Sequence, residues 1–387
     1  FGPTYIIPKP IDPRLLVTVA PAVAKAAMDS GVAKYPIKNW DAYENELYKR
    51  LGSDDNLLRY VINKAKQAPK RVIFAEAENL KILKAAQIVN DEGIAIPILL
   101  GKKEKINALI EEHGLQLENI QIIDPKCDSM EDKRYEYGQK FFEKRQRKGY
   151  NLYEAKKVMR ERAYFGSMML ANGEADALIS GITRKYQDML RPALQIIGMK
   201  KEVKRVAGMY MMLTKKGPIF FADASVNFNP TEDELVDITV LAAKEVENFN
   251  IKPRIAMLSY SNFGSSDSAE AILVRNAVAK LKATHPELIV DGEMQASVAF
   301  NQELMKENYP FSALVNETPN VFIFPNLSAG NIAYNLLQEI GGAEAIGPIL
   351  LGLNKPVHVL QLGSTVRQIV NMVAISVVEA QLKSSKK

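Results

Sequence analysis

The clearest unit of the fold is the stretch Glu174-Ala175-Asp176-Ala177-Leu178-Ile179-Ser180-Gly181. Its centre, residues 177–180, predicts a short buried strand. The residues before it, from about 153 to 171, have the apolar spacing of a long helix. Strand and helix patterns alternate on both sides of this unit, from about residue 71 to residue 382. Repeated units of this kind predict an α/β fold with parallel sheets.

The same patterns predict the other elements. Strands are expected at residues 71–75, 94–100, 120–124, 219–222, 254–259, 288–291, 321–325 and 357–360. Helices are expected at residues 80–91, 232–248, 267–283, 329–340 and 364–382. Near the start of the chain, five prolines within the first 21 residues predict irregular structure until about Val19, followed by a short helix at 21–29.

Length and composition are those of an ordinary globular chain with more than one domain. The 387 residues suggest two or three domains, at ~150 residues per domain. The formal charge of +5, from 50 basic and 45 acidic residues, is too small to indicate nucleic-acid binding, although it suits an anionic small ligand. No apolar run approaches the ~20 residues of a membrane span, and no signal peptide is apparent. We therefore expect a cytoplasmic protein that binds neither membranes nor nucleic acid.

The short motifs that mark many enzymes are missing. The single cysteine, Cys127, cannot form an intrachain disulfide and is typical of a reducing compartment. The three histidines are scattered and form no zinc-type cluster. The sequence has no glycine-rich dinucleotide motif after a strand, no P-loop, no H-E-x-x-H and no G-x-S-x-G. We therefore expect neither a metal nor a nucleotide cofactor in this chain.

Four segments in unbroken order carry a family resemblance. They are residues 174–181 continuing to Leu190-Arg191-Pro192-Ala193-Leu194-Gln195; Phe221-Ala222-Asp223-Ala224-Ser225-Val226-Asn227; Ala256-Met257-Leu258-Ser259-Tyr260-Ser261 with Asp291-Gly292-Glu293; and Phe324-Pro325-Asn326-Leu327-Ser328-Ala329-Gly330-Asn331 continuing to Gly341-Gly342-Ala343-Glu344. Together they closely resemble phosphate acetyltransferases (phosphotransacetylases), from about Asn56 to the end of the chain.

That resemblance implies an architecture and an assembly. The family fold consists of two α/β lobes with a cleft between them, as in isocitrate and isopropylmalate dehydrogenases. One lobe would hold residues 51–204 and 348–387, and the other residues 205–347. Members of the family pair as dimers, so the resemblance also implies a homo-oligomer.

Residues 1–50 carry a second resemblance. The segments Tyr5-Ile6-Ile7-Pro8-Lys9-Pro10 and Ala20-Pro21-Ala22-Val23-Ala24-Lys25 are similar to the closing segment of large bacterial malic enzymes, in which a malate-oxidising domain precedes a phosphotransacetylase-like one. The chain begins with Phe1 rather than methionine, so we expect a longer parent chain. The resemblance implies that the parent uses NAD(P) and a divalent metal, Mg²⁺ or Mn²⁺. The alternative is an N-terminal extension of a free-standing transferase.

The resemblance also indicates where the family's catalytic residues would lie. Active members carry a Ser-Arg-Gly-Cys-Ser-x-x-Asp pattern, whose serine and arginine stabilise charge and whose aspartate is the proposed base. The corresponding stretch here is Gln361-Leu362-Gly363-Ser364-Thr365-Val366-Arg367-Gln368. Gln361 and Leu362 thus replace the serine and arginine, and Gln368 replaces the base. An amide accepts no proton and leucine offers no donor, so we expect no catalytic residues, although Arg367 is a possible replacement charge.

Other expected ligand contacts are preserved. Arg145 and Arg191 match family arginines implicated in binding the coenzyme or acetyl phosphate; a surface charge and a helix-start salt bridge are the alternatives. The serines and glycine expected to contact ligand are Ser259, Ser261, Gly264, Ser265 and Ser364. Gly264-Ser265-Ser266-Asp267 precedes a helix and can receive an anion, or else Asp267 and Glu270 form a capping box. Asp223 and Asp291 are expected to be polar anchors rather than metal ligands.

Three functions remain open. The leading hypothesis is a regulatory domain that binds acetyl-CoA or coenzyme A, does not catalyse acetyl transfer, and acts on an upstream malic enzyme domain. The second is an active phosphate acetyltransferase with a displaced base, and the third is a structural oligomerisation module.

Overall fold

The computed structural model describes residues 13–40, 43, 46–47, 56–214 and 217–384. The prediction for residues 1–12 lies outside this part of the chain. The first described helix, α1 (Pro13–Asp29), begins well before residue 21, where the sequence pattern placed it. The prediction was wrong because Pro13 occupies the first helical position, where a missing N–H costs nothing, and because Pro21 lies inside the helix without ending it.

Five parallel strands form the first sheet. They are β1 (Lys70–Phe74), β2 (Ala95–Leu100), β3 (Gln121–Ile123), β4 (Ala177–Ser180) and β11 (Val357–Val359), in the order β11-β4-β1-β2-β3. Ile73 at the centre of β1 is aligned with Ile98 of β2 and Leu178 of β4. All four residues of β4 are buried, as expected of a parallel strand covered on both faces.

The second sheet is mixed. Its strands are β5 (Ala207–Thr214), β6 (Gly217–Ala222), β7 (Arg254–Leu258), β8 (Ile289–Met294), β9 (Val321–Ile323) and β10 (Glu344–Leu351), in the order β10-β5-β6-β9-β7-β8. Strand β5 runs antiparallel to both β6 and β10, whereas the remaining pairs are parallel. Strands β5 and β10 were not predicted, because a repeated parallel pattern does not include antiparallel strands at one side of a sheet.

Helices cover the two sheets. They are α2 (Asn56–Gln67), α3 (Leu80–Asp91), α4 (Lys103–Glu112), α5 (Glu131–Arg145), α6 (Leu152–Val158), α7 (Arg162–Ala171), α8 (Tyr186–Ile196), α9 (Glu232–Asn248), α10 (Ala269–Thr284), α11 (Ala296–Phe300), α12 (Gln302–Asn308), α13 (Leu327–Glu339) and α14 (Val366–Ser384). None of the helices in the described part of the chain combines the length and apolar character that a bilayer span needs.

The long helix predicted at residues 153–171 is two helices, α6 and α7. Backbone N–H groups of Met159, Arg160 and Glu161 bond to carbonyls three residues earlier, which tightens the end of α6. Glu161 then takes an extended conformation and precedes α7. The prediction was wrong because apolar spacing persists across this break and carries no signal for it.

Helix α14 joins the two lobes. It contacts β1 and β4 of the first sheet and β10 of the second. Its residues Ile369, Val373 and Val377 are fully buried in the largest hydrophobic cluster, which also contains residues of both sheets. The chain therefore forms two α/β lobes that share part of one core, and the loop before α14 faces both of them.

Candidate functional site

The loop between β11 and α14 contains Gln361, which contacts the other lobe. Its Nε2 donates to the hydroxyls of Tyr334, at 2.8 Å, and of Tyr210. The two tyrosine rings are stacked, with centroids 4.1 Å apart, and both are buried. Burial and the neighbouring Tyr334 raise the pKa of Tyr210, so its phenol stays protonated. Gln361 is therefore held in a neutral hydrogen-bonded group between the lobes.

Gln368 has a structural role at the start of α14. Its Oε1 accepts from the backbone N–H of Thr365 at 2.9 Å, and its own N–H donates to Thr365 Oγ1 at 3.2 Å, which is the reciprocal pattern of a capping box. Its Nε2 donates to the carbonyl of Ala345 at 3.0 Å. The oxygen and the nitrogen of this amide thus both form hydrogen bonds within the chain. Leu362 between these two positions is 68% exposed and offers no polar atom.

Ser364 and Arg367 in the same loop are also engaged. Ser364 Oγ accepts from the N–H of Gln361 at 3.2 Å, and its carbonyl accepts from Lys81 Nζ at 3.1 Å. Arg367 Nη2 lies 3.3 Å from Glu344 Oε2 on β10. The possible replacement charge at Arg367 is therefore paired with a carboxylate, one residue from the Ala345 carbonyl that Gln368 contacts. Glu344 lies at the end of one of the family segments, and no role was predicted for it from the sequence.

The serines expected to bind ligand converge on an internal carboxylate, Glu293 of β8. Ser261 Oγ and the backbone N–H of Gly264 each donate to Glu293 Oε1 at 2.9 Å. Arg275 of α10 donates to both carboxylate oxygens, at 3.0 and 3.2 Å. Burial alone would raise the pKa of Glu293, but Arg275 and the N–H of Gly264 outweigh it and hold that pKa below its usual range.

Two further serines complete this loop. Ser265 Oγ lies 3.0 Å from Ser261 Oγ, and Ser259 Oγ accepts from the N–H of Ser261 at 3.2 Å. Ser259, Ser261, Gly264 and Ser265 thus lie together in one loop, and their expected contact with a ligand stays a prediction. The anion at their centre is Glu293, a residue of the chain itself.

The capping box predicted at Asp267 and Glu270 is wrong. The cap of α10 is Ser268, whose Oγ accepts from the N–H of Ala271 at 3.2 Å. Asp267 lies one residue too early, is 92% exposed and forms an ion pair with Arg275 at 3.6 Å. The helix begins later than the sequence pattern indicated, so the serine takes the position that the aspartate was expected to occupy.

Asp223 and Asp291 are polar anchors, as predicted. The carboxylate of Asp223 accepts from the N–H groups of Ser225, Val226 and Asn227 at 2.9–3.0 Å and fixes the turn after β6. Asp291 accepts from Lys282 Nζ at 2.7 Å and from the N–H of Ala313 at 2.9 Å. Within the described residues, no cluster of histidine, cysteine and acidic side chains has the grouping that a metal ion needs.

Arg145 and Arg191 lie on two helices of the first lobe that contact each other, α5 and α8. Arg191 is exposed and lies in the middle of α8. It is therefore not a residue at the start of a helix, as the salt-bridge alternative required. The Nε of Arg145 is buried and has no hydrogen-bond partner among the described residues. A buried donor left without an acceptor is uncommon in folded proteins and indicates a position where a bound group can complete the hydrogen bond.

Glu76, after β1, is a residue that sequence analysis missed. It is buried and accepts from the N–H groups of Ile182 at 2.7 Å and Thr183 at 3.1 Å, and from that of Gly181. Gly181 has φ of +101°, and a Cβ there would come within 2.5 Å of Val359. The loop that leads into α8 and Arg191 is therefore fixed by a carboxylate at the end of the adjacent strand. A glutamate directly after a buried strand was the available signal.

Comparison with known proteins agrees with this architecture. Residues 56–377 match the family model described as phosphate acetyl/butaryl transferase. A phosphate acetyltransferase of Clostridium acetobutylicum is 38% identical over 333 residues, which cover 84% of this chain and 99% of that protein. The crystal structure of a phosphotransacetylase from Streptococcus pyogenes has a TM-score of 0.79 at 35% identity and covers 85% of this chain and 99% of its own.

Malic enzymes match more of the chain. The NADP-dependent malic enzyme of Haemophilus influenzae is 42% identical over 386 residues, which cover 98% of this chain but 50% of that protein. The similarity therefore extends into residues 1–50, which the transferase model does not reach, and the chain spans about half the length of the malic enzymes that it matches. On the match over residues 56–377 and the shared two-lobed fold, the chain belongs to the phosphate acetyl/butaryl transferase family.

Proposed function

We propose that this chain binds coenzyme A or acetyl-CoA as a regulatory domain and does not catalyse acetyl transfer. The observation that carries the proposal is the hydrogen bonding of two glutamines in the loop at residues 361–368. Gln361 and Gln368, at the positions of the family's serine and aspartate, are neutral amides engaged in hydrogen bonds of the fold. Neither is available to a reacting group.

The chemistry that these two positions lack supports the absence of turnover. Acetyl transfer from acetyl phosphate to coenzyme A needs a base, because the thiolate is the nucleophile and a free thiol is mostly protonated at neutral pH. A general base contributes ~10²–10⁴ in rate. An oxyanion donor contributes ~10²–10³ more. Loss of both leaves little turnover.

Binding has separate support. Relatives that are named for phosphate acetyl transfer share the fold, and Arg145 and Arg191 lie on adjoining helices of the first lobe. A guanidinium donates two parallel hydrogen bonds to phosphate, and the buried Nε of Arg145 has no acceptor within the described part of the chain. These features support an anionic ligand such as the phosphates of coenzyme A.

The regulated partner would be a malic enzyme domain on the same parent chain, in a homo-oligomer. The malic enzyme relatives are about twice as long as this chain, and the parent would use NAD(P) and Mg²⁺ or Mn²⁺ outside it. Control requires that the ligand bind two parent conformations unequally. Acetyl-CoA is a suitable signal, since the pyruvate that a malic enzyme forms is a source of acetyl groups.

One observation favours the active transferase as a second candidate. Glu344 is a carboxylate next to the residue that Gln368 contacts, and Arg367 supplies a guanidinium beside it. Together they provide the two chemical groups that positions 362 and 368 have lost. A displaced base at Glu344 would make the chain a working phosphate acetyltransferase.

Turnover separates the two candidates. Purified chain is incubated with acetyl phosphate and coenzyme A, and loss of the free thiol is followed. The regulatory proposal predicts no loss above the protein-free blank for the wild type and for Glu344→Gln. Steady turnover that falls at least tenfold in Glu344→Gln would establish the transferase instead. A chain with no turnover and no ligand-dependent rise in melting temperature would be a structural module.

Binding is tested at Arg145. We expect Arg145→Ala to weaken acetyl-CoA binding about tenfold, or ~1.4 kcal/mol, because a charge-assisted hydrogen bond to phosphate is lost. The matched control is Arg147→Ala, which removes an exposed arginine two residues away. Isothermal titration calorimetry measures both variants. Equal loss in the two would indicate only a general effect of positive charge.

A further inference from the structure

Three segments of the first lobe meet at one side-chain amide, that of Gln195 on α8. Its Oε1 accepts a hydrogen bond from the hydroxyl of Tyr164 on α7 at 2.8 Å and another from the hydroxyl of Tyr150 at 3.2 Å. The two hydroxyl oxygens lie 3.3 Å apart. Because one acceptor serves donors from two other segments, it fixes α8 relative to both of them. Gln195, Tyr150 and Tyr164 are called the Gln195 group below.

Helix α5 packs against this group. The ring of Phe141 is completely buried and meets the ring of Tyr150 edge to face, with centroids 4.8 Å apart, and that of Tyr164 at 5.6 Å. Edge-to-face pairs at such distances are favourable. Lys144, near the end of α5, also donates from Nζ to the carbonyl of Ile196 on α8. Helices α5 and α8 are therefore joined through two tyrosine rings and one direct hydrogen bond.

An arginine lies one helical turn from this packed unit on each of the two helices. Residues four apart in a helix lie on the same face. Arg191 precedes Gln195 by four residues on α8, and Arg145 follows Phe141 by four residues on α5. The side chains that fix the two helices to each other therefore share their faces with the two arginines.

The chain beyond Arg145 returns to the same unit. A short 3₁₀ turn at residues 146–148 ends at Gly149, which has φ of +89°. Glycine adopts this left-handed conformation without the steric cost of a Cβ. The next residue, Tyr150, then lies against Phe141. Arg145 is thus held from both sides, by Phe141 before it and by Tyr150 after it.

We propose that the Gln195 group positions Arg145 and Arg191 as a pair that binds the phosphates of one coenzyme molecule. This inference rests on the proposed function, which supplies the ligand. The buried Nε of Arg145 has no acceptor among the described residues, and Arg191 is exposed. Two guanidinium groups held in place beforehand lose less conformational freedom when they bind phosphate, so the ligand binds more tightly. The three residues of the group act through the arginines and do not themselves contact the ligand.

The first test removes the shared acceptor. Gln195→Leu leaves the hydroxyls of Tyr150 and Tyr164 without this partner, so α8 is no longer fixed against α7 and α5. We expect coenzyme A to bind about tenfold more weakly, as measured by isothermal titration calorimetry. The matched control is Gln187→Leu, the same change at an exposed position of α8, which should bind within about twofold of the wild type. Equal affinities of the two variants would overturn the proposal.

A double-mutant cycle separates positioning from a general loosening of the lobe. In an Arg191→Ala background there is no pair left to position, so adding Gln195→Leu should weaken coenzyme A binding by less than about twofold. A general loosening would instead give the full tenfold loss in both backgrounds. That result would overturn the positioning role.

Milder variants keep the test open if Gln195→Leu does not fold. Tyr164→Phe and Tyr150→Phe each keep the ring and leave one hydroxyl on Gln195. Each should weaken coenzyme A binding by about two- to threefold, and the double variant by about tenfold. Wild-type affinity in the folded double variant would overturn the proposal.

Inorganic pyrophosphate separates failure of this inference from failure of the proposed function. If the wild type binds coenzyme A and Gln195→Leu binds it equally well, only the positioning role fails. If the wild type does not bind coenzyme A, the proposed function fails, and the same variants are titrated with pyrophosphate. Weaker pyrophosphate binding in Gln195→Leu, but not in Gln187→Leu, would support the positioned arginine pair. A wild type that binds neither compound would overturn both.

Discussion

The loops at residues 259–265 and 361–368 both follow strands, and they differ in what they enclose. The first surrounds the carboxylate of Glu293, whose two oxygens both accept hydrogen bonds. Arg275, Ser261 and Gly264 hold this carboxylate ionised. The second contains neutral amides that bind tyrosine hydroxyls and backbone groups. The first loop, here called the charged loop for the Glu293 carboxylate that it surrounds, is a structural element, because that charge is already satisfied from within the chain. The second is called the neutral loop for its two amides.

The largest effect should come from the charged loop. Glu293→Gln removes hydrogen bonds to a buried charged group, each of which contributes ~1.5–3 kcal/mol. We expect the free energy of unfolding at pH 7 to fall by about 2–4 kcal/mol. Urea unfolding followed by circular dichroism measures it. A loss of less than about 0.5 kcal/mol would mean that the loop does not depend on this charge.

The same variant has a defined pH dependence. The pKa of Glu293 is held below its ordinary value of 4.5, so its stabilisation is complete above that pH and is lost as pH falls through the folded pKa. The stability difference between the wild type and Glu293→Gln should therefore shrink below about pH 4.5. Urea unfolding at a series of pH values measures this. A difference that persists unchanged into acid would contradict an ionised Glu293.

A variant of the neutral loop should lose less free energy of unfolding, and this loss should not depend on pH. Gln361→Ala removes the amide that donates to Tyr210 and Tyr334, and we expect a loss of about 1–2 kcal/mol. The control is Leu362→Ala, which changes an exposed neighbour and should have an effect within about 0.5 kcal/mol. Equal effects of the two variants would show that Gln361 does not join the lobes.

The smallest expected effect on stability comes from two neighbouring residues beside the charged loop, Ser268 and Asp267. Ser268→Ala removes the cap of α10 and should cost about 1 kcal/mol. Asp267→Ala removes an exposed side chain and should have almost no effect on the midpoint of thermal unfolding. The reverse order would restore the capping box that the sequence pattern indicated.

Local patterns were sufficient for much of the fold. Helices α3 and α9 begin and end at the predicted residues, since each has a regular apolar face and, at Thr231, a complete capping box. The α/β class and the two lobes also follow the expectation from family resemblance. Strands β5 and β10 were missed because repeated strand–helix units do not predict antiparallel pairing, and the pairing of β5 with β10 joins segments far apart in the chain.

The site was less accessible to sequence reasoning. Ser259, Ser261, Gly264 and Ser265 were expected to contact a ligand, and that stays a prediction. The position of Glu293 beside them was not predicted, because nothing local indicates that a carboxylate on another strand faces that loop. The same reason applies to Glu344 beside Arg367 and to Tyr210 beside Gln361. Which side chain occupies a loop is decided by tertiary packing between elements.

We propose that this chain holds coenzyme A but does not activate its thiol. The most direct measurement is a saturation-transfer NMR experiment on the chain mixed with coenzyme A and acetyl phosphate in one tube. We predict saturation transfer from protein to coenzyme A protons, with no growth of the acetyl-CoA methyl signal over hours. Growth of that signal, or no transfer to coenzyme A at all, would contradict the account.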